Sequence, residues 1–519
     1  MVSLVATVVL LFAGVQLSVP MLIPSRPGHQ VPIRIESSSY SSLASASGPG
    51  WMVHEQDEHT CDAGSRNFAG RVNISDTKSM FFWFFESRQR PNERPVTVWL
   101  NGGPGASSTS GMYGEVGPCT INKDHDGTVF SEYSWTNHSN LLIIDQPAGV
   151  GLSTVRGALP AGLLEASADF EATLKVILEN ILPQYASNPL YIAGESYGGQ
   201  YVPYFAADIV RHQKESSPHR LLNTPLAGII LVNALVDNSW LSLGQYELFC
   251  TDNEPNVLRF NETVCDAMAA AAPECERLGA LCRTSDDPYI CLAAAEFCME
   301  NLDIYFQAEV DALRRSPYDF RRDCPDPPLC GVGDNGMGST EKFLNRPEIQ
   351  TRLGFDSPVN FIPINFDMNT LWASNPAIFL PATKYLTYLL DGGNRLHSFG
   401  ARNVGGEHSN ASVAAAASVP VLVINGEYDV GCNAPGTLLT YDHLPWHGQA
   451  AFRATRSLDP WYWTDVNGQV HKGGLWKGAA SGTLAIATVH DAGHMAPGDQ
   501  RGAVAALFGR WIAGSGSLG

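Results

Sequence analysis

Three side chains in this sequence have the types and settings needed to cleave an acyl bond. Ser196 lies at the centre of Gly194-Glu195-Ser196-Tyr197-Gly198, directly after the apolar run LYIA. Glycines on both sides of a serine permit a sharp strand-to-helix turn that lifts the hydroxyl above a sheet. A hydroxyl is a weak nucleophile and needs a base held in one tautomer by a third group. Asp429 follows VPVLVING, and His494 closes LAIATVHDAGH. His490 is the rival base, but it ends its apolar run rather than lying in the Gly-containing loop, which suits a packed or supporting histidine. Asp491 lacks a separate strand end to place it. A second Gly-rich loop, Asn101-Gly102-Gly103-Pro104-Gly105-Ala106-Ser107-Ser108, lacks the lysine of a phosphate cradle. It suits oxyanion binding better, with Gly103 supplying one backbone amide and Tyr197 the other.

These residues need a scaffold of strands. The runs at 95–103, 140–147, 189–196, 226–234, 419–429 and 484–494 are apolar, rich in β-branched residues, and end in polar or Gly-containing loops. Such runs suit buried strands of a mixed or parallel sheet. Residues 163–185 carry a helical pattern, with Phe170, Leu174, Ile177 and Leu178 on the apolar face. Strand, helix and strand in succession predict a layered α/β domain, and the order Ser, Asp, His is that of the α/β-hydrolase fold. The rhythm changes between 241 and 345, where Ala-rich helical segments and cysteines concentrate. This predicts a central, mostly parallel mixed sheet encoded by 61–240 and 346–514, interrupted by a helical, disulfide-rich cap at 241–345.

The chain has 519 residues and a formal charge of -19, a poor match for a phosphate backbone; nucleic-acid binding is not expected. An apolar stretch from Leu4 to Val15 is short for a membrane span and predicts a removable signal peptide over 1–19. Residues 20–60, with a Ser-rich piece at 37–47, read as an arm or propeptide, and 515–519 as a flexible tail. Of eleven cysteines, seven fall between Cys265 and Cys330 without a CxxC pair, which in an exported chain predicts a stapled lobe rather than a metal site. N-x-Ser/Thr acceptors at Asn73, Asn137, Asn261 and Asn410 fit the same compartment. The expected location is extracellular, with a vacuole or lysosome-like compartment as the alternative.

WLNGGPGASS, DQPAGVGLS, GESYGG, INGEYDVGC and HDAGHMAP, in that order, resemble the signatures of the serine carboxypeptidase family. The resemblance spans most of the chain after residue 60. It implies a triad of Ser196, Asp429 and His494, an oxyanion hole at Gly103 and Tyr197, and recognition of a substrate's free C-terminal carboxylate by Trp99, Asn101, Gly102, Glu115 and Glu195. Met495 is similar to the residue beside the pocket for the departing amino acid. The implied activity is release of C-terminal residues from peptides and proteins through an acyl-enzyme at acidic pH, with no metal or organic cofactor. An esterase or acyltransferase of the carboxypeptidase-like group, or a silent binding glycoprotein, would share parts of this pattern. Glu115 and Glu195 favour the peptidase.

The family's disulfide pairings, carried over, imply Cys250–Cys265, Cys275–Cys298, Cys282–Cys291 and Cys324–Cys330, with Cys432 unpaired near the catalytic site. Cys61 and Cys119 then remain as a fifth pair. Two positions depart from the family's pattern. Ala106 stands where a disulfide-forming cysteine is common, so the support of its loop is expected to differ. In VNALVDN (232–238) the Gly that often follows the Asn is missing, which is expected to alter the shape near the cleft.

Overall fold

The computed structural model describes residues 45–514, apart from 49, 215–221, 252–256, 326, 328, 331–336, 394–417, 456–457 and 480. The signal peptide over 1–19, the first part of the arm, the tail and Asn410 lie outside the described residues.

All six apolar runs are strands, and they form the parallel centre of one large sheet. In spatial order these are Asn140–Ile144, Val96–Leu100, Leu190–Ser196, Leu226–Ala234, Val421–Gly426 and Leu484–Val489. Side chains alternate between the two faces of a strand, and here both faces are covered, which is why the runs are continuously apolar. Val98, Ile192, Leu231 and Val423 pack on one face with Phe170 and Leu174 of the helix Leu163–Val176. Trp99, Ala193, Ile230 and Ile424 pack on the other with Val504 and Phe508 of the helix Arg501–Ile512.

Antiparallel strands extend both edges. On one side Lys78–Phe85 pairs with Asn140–Ile144, followed outward by Asn67–Asn73, Trp51–Gln56 and Ser45–Gly48. The sheet therefore begins inside the stretch 20–60 read as an arm, and that boundary is corrected. Edge strands are held by main-chain hydrogen bonds, so a Ser-rich segment can pair where few apolar side chains mark it. On the other side Val470–Gly478 and Asp459–Thr464 complete the sheet.

The cap is built from the helices Asn238–Cys250, Glu262–Ser285 and Pro288–Cys298, joined by Cys250–Cys265, Cys275–Cys298 and Cys282–Cys291. Cys324–Cys330 closes a short loop beyond them, and Cys61–Cys119 staples the first part of the core. Phe343 and Leu344, in the helix Gly338–Leu344, pack in the same apolar cluster as Trp99.

Asn73 is exposed. Asn137 is engaged at both ends of its amide, by Arg88 and by the Glu132 carbonyl. Asn261 caps the helix Glu262–Ser285 by accepting from the Val264 amide. Among the described residues no helix is long and apolar enough to cross a membrane.

Candidate active site

Ser196, Asp429 and His494 each lie at or just beyond the C-terminal end of a parallel strand, the edge where open α/β sheets carry their sites. Ser196 ends Leu190–Ser196 with φ 60, a left-handed backbone that a non-glycine residue adopts only under local constraint. The helix Gly198–Lys214 starts two residues later, which completes the strand–turn–helix elbow. Asp429 and His494 follow Val421–Gly426 and Leu484–Val489.

His494 Nδ1 lies 2.7 Å from Asp429 Oδ2, and its backbone N–H donates to the Tyr318 carbonyl at 2.6 Å. Both side chains are buried. Burial pulls the imidazole pKa down, but the charge and hydrogen bond of Asp429, with a contribution from Glu115, raise it overall. The other ring nitrogen, Nε2, is 3.7 Å from Glu195 Oε1. His490 pairs instead with Glu427 at 2.9 Å and is partly exposed, while Asp491 is bound by Arg321. The structure thus brings His494, not its rival, to Asp429.

Asn233 is a supporting residue that the sequence reading noticed only as a departure beside it. Its Nδ2 donates to Asp429 Oδ2 at 2.8 Å, and its Oδ1 accepts from the Gly426 amide at 3.2 Å. The Cys432 amide donates to the other oxygen of Asp429. Hydrogen bonds to a buried carboxylate offset its loss of hydration and fix its direction. Cys432 is unpaired and buried, and burial pushes its thiol well above the usual range.

The Gly-rich loop lies against the elbow. A Cβ at Gly102 would stand 2.4 Å from the Tyr197 nitrogen and 3.0 Å from Ser196 Cβ, so only glycine permits this approach. Gly103 has φ 106, a backbone conformation that glycine adopts readily and other residues rarely do. Among the described residues neither the Gly103 nor the Tyr197 amide is taken by another acceptor. At Ala106 the loop is supported by hydrogen bonds. Ser107 donates to the Pro363 carbonyl and Asn365 to the Gly105 carbonyl, Ala106 pairs with Ile364, and Asn369 Nδ2 donates to the Pro104 carbonyl.

The predicted carboxylate-binding residues converge as well. Trp99 Nε1 donates to Asn101 Oδ1 at 2.7 Å, which aims Asn101 Nδ2 at Glu115 Oε1 (3.2 Å) and Glu195 Oε2 (3.0 Å). Both glutamates are buried and within hydrogen-bonding reach of each other. Burial raises both pKa values, and the charge of Glu115 raises that of Glu195 further. Two carboxylates in contact retain a proton between them. Glu115 Oε2 is buried with no partner. Arg501, at the start of its helix, acts on Glu115 by charge. Nothing in the sequence marked it. Asn101, Glu115, His494 and Met495 all line one cavity of about 540 Å³, whose far wall comes from Tyr318, Asp319 and Arg322 near the end of the cap.

The chain is 31% identical over 460 residues to Carboxypeptidase Y homolog A of Talaromyces stipitatus, covering 87% of this chain and 73% of that protein. To Carboxypeptidase Y homolog A of Aspergillus niger it is 30% identical over 461 residues, with the same coverage. The fold is similar to the crystal structure of Kex1(delta)p, a prohormone-processing carboxypeptidase from Saccharomyces cerevisiae. The TM-score is 0.68 at 22% identity, covering 89% of this chain and 95% of the other. The sequence profile of the serine carboxypeptidases matches residues 58–399 and 407–514, and the chain belongs to the serine carboxypeptidase family.

Proposed function

We propose that this serine carboxypeptidase works through Ser196, Asp429 and His494, passes through an acyl-enzyme, and favours acidic pH. The observation that carries the reading is the interior cluster of Asn101, Glu115 and Glu195, one residue from Ser196 and 3.7 Å from His494. A substrate carboxylate entering that cluster would be a third negative charge. It is accepted when the glutamates hold a proton and donate it as a hydrogen bond, beside Asn101 and the Gly102 amide. The terminal residue then occupies the cavity at Met495, and the scissile carbonyl lies over the elbow.

His494 takes the Ser196 proton as the hydroxyl attacks, and Asp429 stabilises the imidazolium. The Gly103 and Tyr197 amides receive the developing oxyanion. The imidazolium protonates the departing amino acid, and water reverses the sequence to release the shortened peptide. Five disulfides support a secreted or vacuolar location, since such bonds persist in oxidising compartments. The test is hydrolysis of blocked dipeptides by wild type and Ser196→Ala. The variant is expected to fold and to lose on the order of a thousandfold or more of kcat. Near wild-type rates in Ser196→Ala would remove the triad, and preference for simple esters over dipeptides would favour the esterase.

A further inference from the structure

A second cavity, of about 90 Å³, touches Gly103, Pro104 and Tyr197 but none of the carboxylate-binding side chains. Its outer wall is the cap. At roughly 10–15 Å³ per water-sized position, it has room for an extended side chain. If the terminal residue sits beside Met495, this cavity faces the acyl side of the scissile bond, where the penultimate side chain must go; the inference therefore rests on the function proposed above.

The lining is mostly apolar, from Leu241, Phe306, Val310 and Phe379 among others, yet three of its residues, Asp303, Gln307 and Gln245, each carry a buried side-chain oxygen with no hydrogen-bond partner. Asp303 Oδ2 accepts from Ser242 at 2.9 Å, but Oδ1 is buried without a partner. Gln307 Nε2 donates to Asp311 at 2.6 Å, which fixes the orientation of its amide and leaves Oε1 unpartnered. Gln245, almost fully buried, has an unpartnered Oε1 as well. Among the described residues no lysine, arginine or histidine lines the cavity, and Tyr197 is the other ionisable group there. Unpaired acceptors in an apolar interior are costly. A donor-rich cation on an aliphatic stem would supply what they lack.

We propose that this cavity binds the side chain of the penultimate substrate residue and that Asp303, with Gln245 and Gln307, selects lysine or arginine there. Asp303 is half-buried as a residue, and protein surrounds its carboxyl. Burial pushes its pKa up to about 7, the Ser242 hydrogen bond offsetting part of this. An incoming ammonium or guanidinium would hold the ionised form.

The experiment compares kcat/KM of the full-length enzyme for blocked Lys-Leu and blocked norleucine-Leu, which differ by the ammonium group, at mildly acidic and neutral pH. Wild type is expected to favour lysine, more so at neutral pH, where Asp303 is more ionised. Asp303→Asn is expected to lower the lysine-to-norleucine ratio about tenfold or more, by loss on the lysine substrate. Equal ratios in wild type and variant would overturn the proposal. If Asp303→Asn did not fold, a wild-type preference for norleucine at both pH values would overturn it equally. Failure to hydrolyse either dipeptide would instead count against the carboxypeptidase chemistry itself.

Discussion

Replacing both Glu115 and Glu195 with Gln should flatten the pH dependence of peptide binding while leaving that of turnover in place. Both carboxyls are interior, both accept from Asn101 Nδ2, and both titrate above the usual carboxylate range. A raised acid pKa means that the protonated, hydrogen-bond-donating form dominates below it and is lost as pH rises through it. Each pH unit beyond that point costs the complex of a free C-terminus about 1.4 kcal/mol, a tenfold rise in KM. His494 sets the opposite limb. Its pKa is also raised, so the neutral base is lost, and kcat falls, as pH drops through that value. Gln keeps an N–H donor and cannot ionise. The double variant should bind more weakly at acidic pH, by about 1–3 kcal/mol for imperfectly satisfied buried groups, but with no slope. The assay is KM and kcat for a blocked dipeptide and its amide, from acidic to mildly alkaline pH. An unchanged wild-type KM across that range, the same slope for the amide, or a slope kept by the double variant would refute the reasoning.

Asn233→Ala removes a bond to the Asp429 carboxylate and strands the Gly426 amide. The loss should be about 1.5–3 kcal/mol of transition-state stabilisation, roughly ten- to a hundredfold in kcat/KM, with circular dichroism unchanged. His490→Ala should retain far more turnover than His494→Ala, because His490 pairs with Glu427 instead; the reverse order in a steady-state assay would move the base to residue 490.

The parallel centre of the fold was legible because strands covered on both faces are written as unbroken apolar runs, and four of the six runs carried a chemical residue at or just past the strand end. The outer strands were not. Ser45–Gly48 has few apolar residues to betray it, and Asp459–Thr464 shows only part of its length to a core. Asn101, Glu115 and Glu195 could be named from family likeness, but their shared hydrogen bonds depend on Trp99 orienting Asn101 across three separate segments. Asp303 carried no signal at all. It becomes informative only where the helix Asn238–Cys250, the elbow and residues 299–310 enclose a common space, which no local pattern records.

Residues 105–107 and 363–365 are sewn together by amides and carbonyls, where a cysteine at 106 would have offered sulfur. Thiol reagents therefore find no handle on the strip of chain that shapes the oxyanion site. They find three bridges among the cap helices. Selectivity and bond-breaking would thus answer to different chemistries: a reductant acts on three bridges in the part that chooses the peptide and on one, Cys61–Cys119, in the part that cuts it. Ester and peptide rates followed side by side through a dithiothreitol titration would expose the split, with peptide turnover falling first.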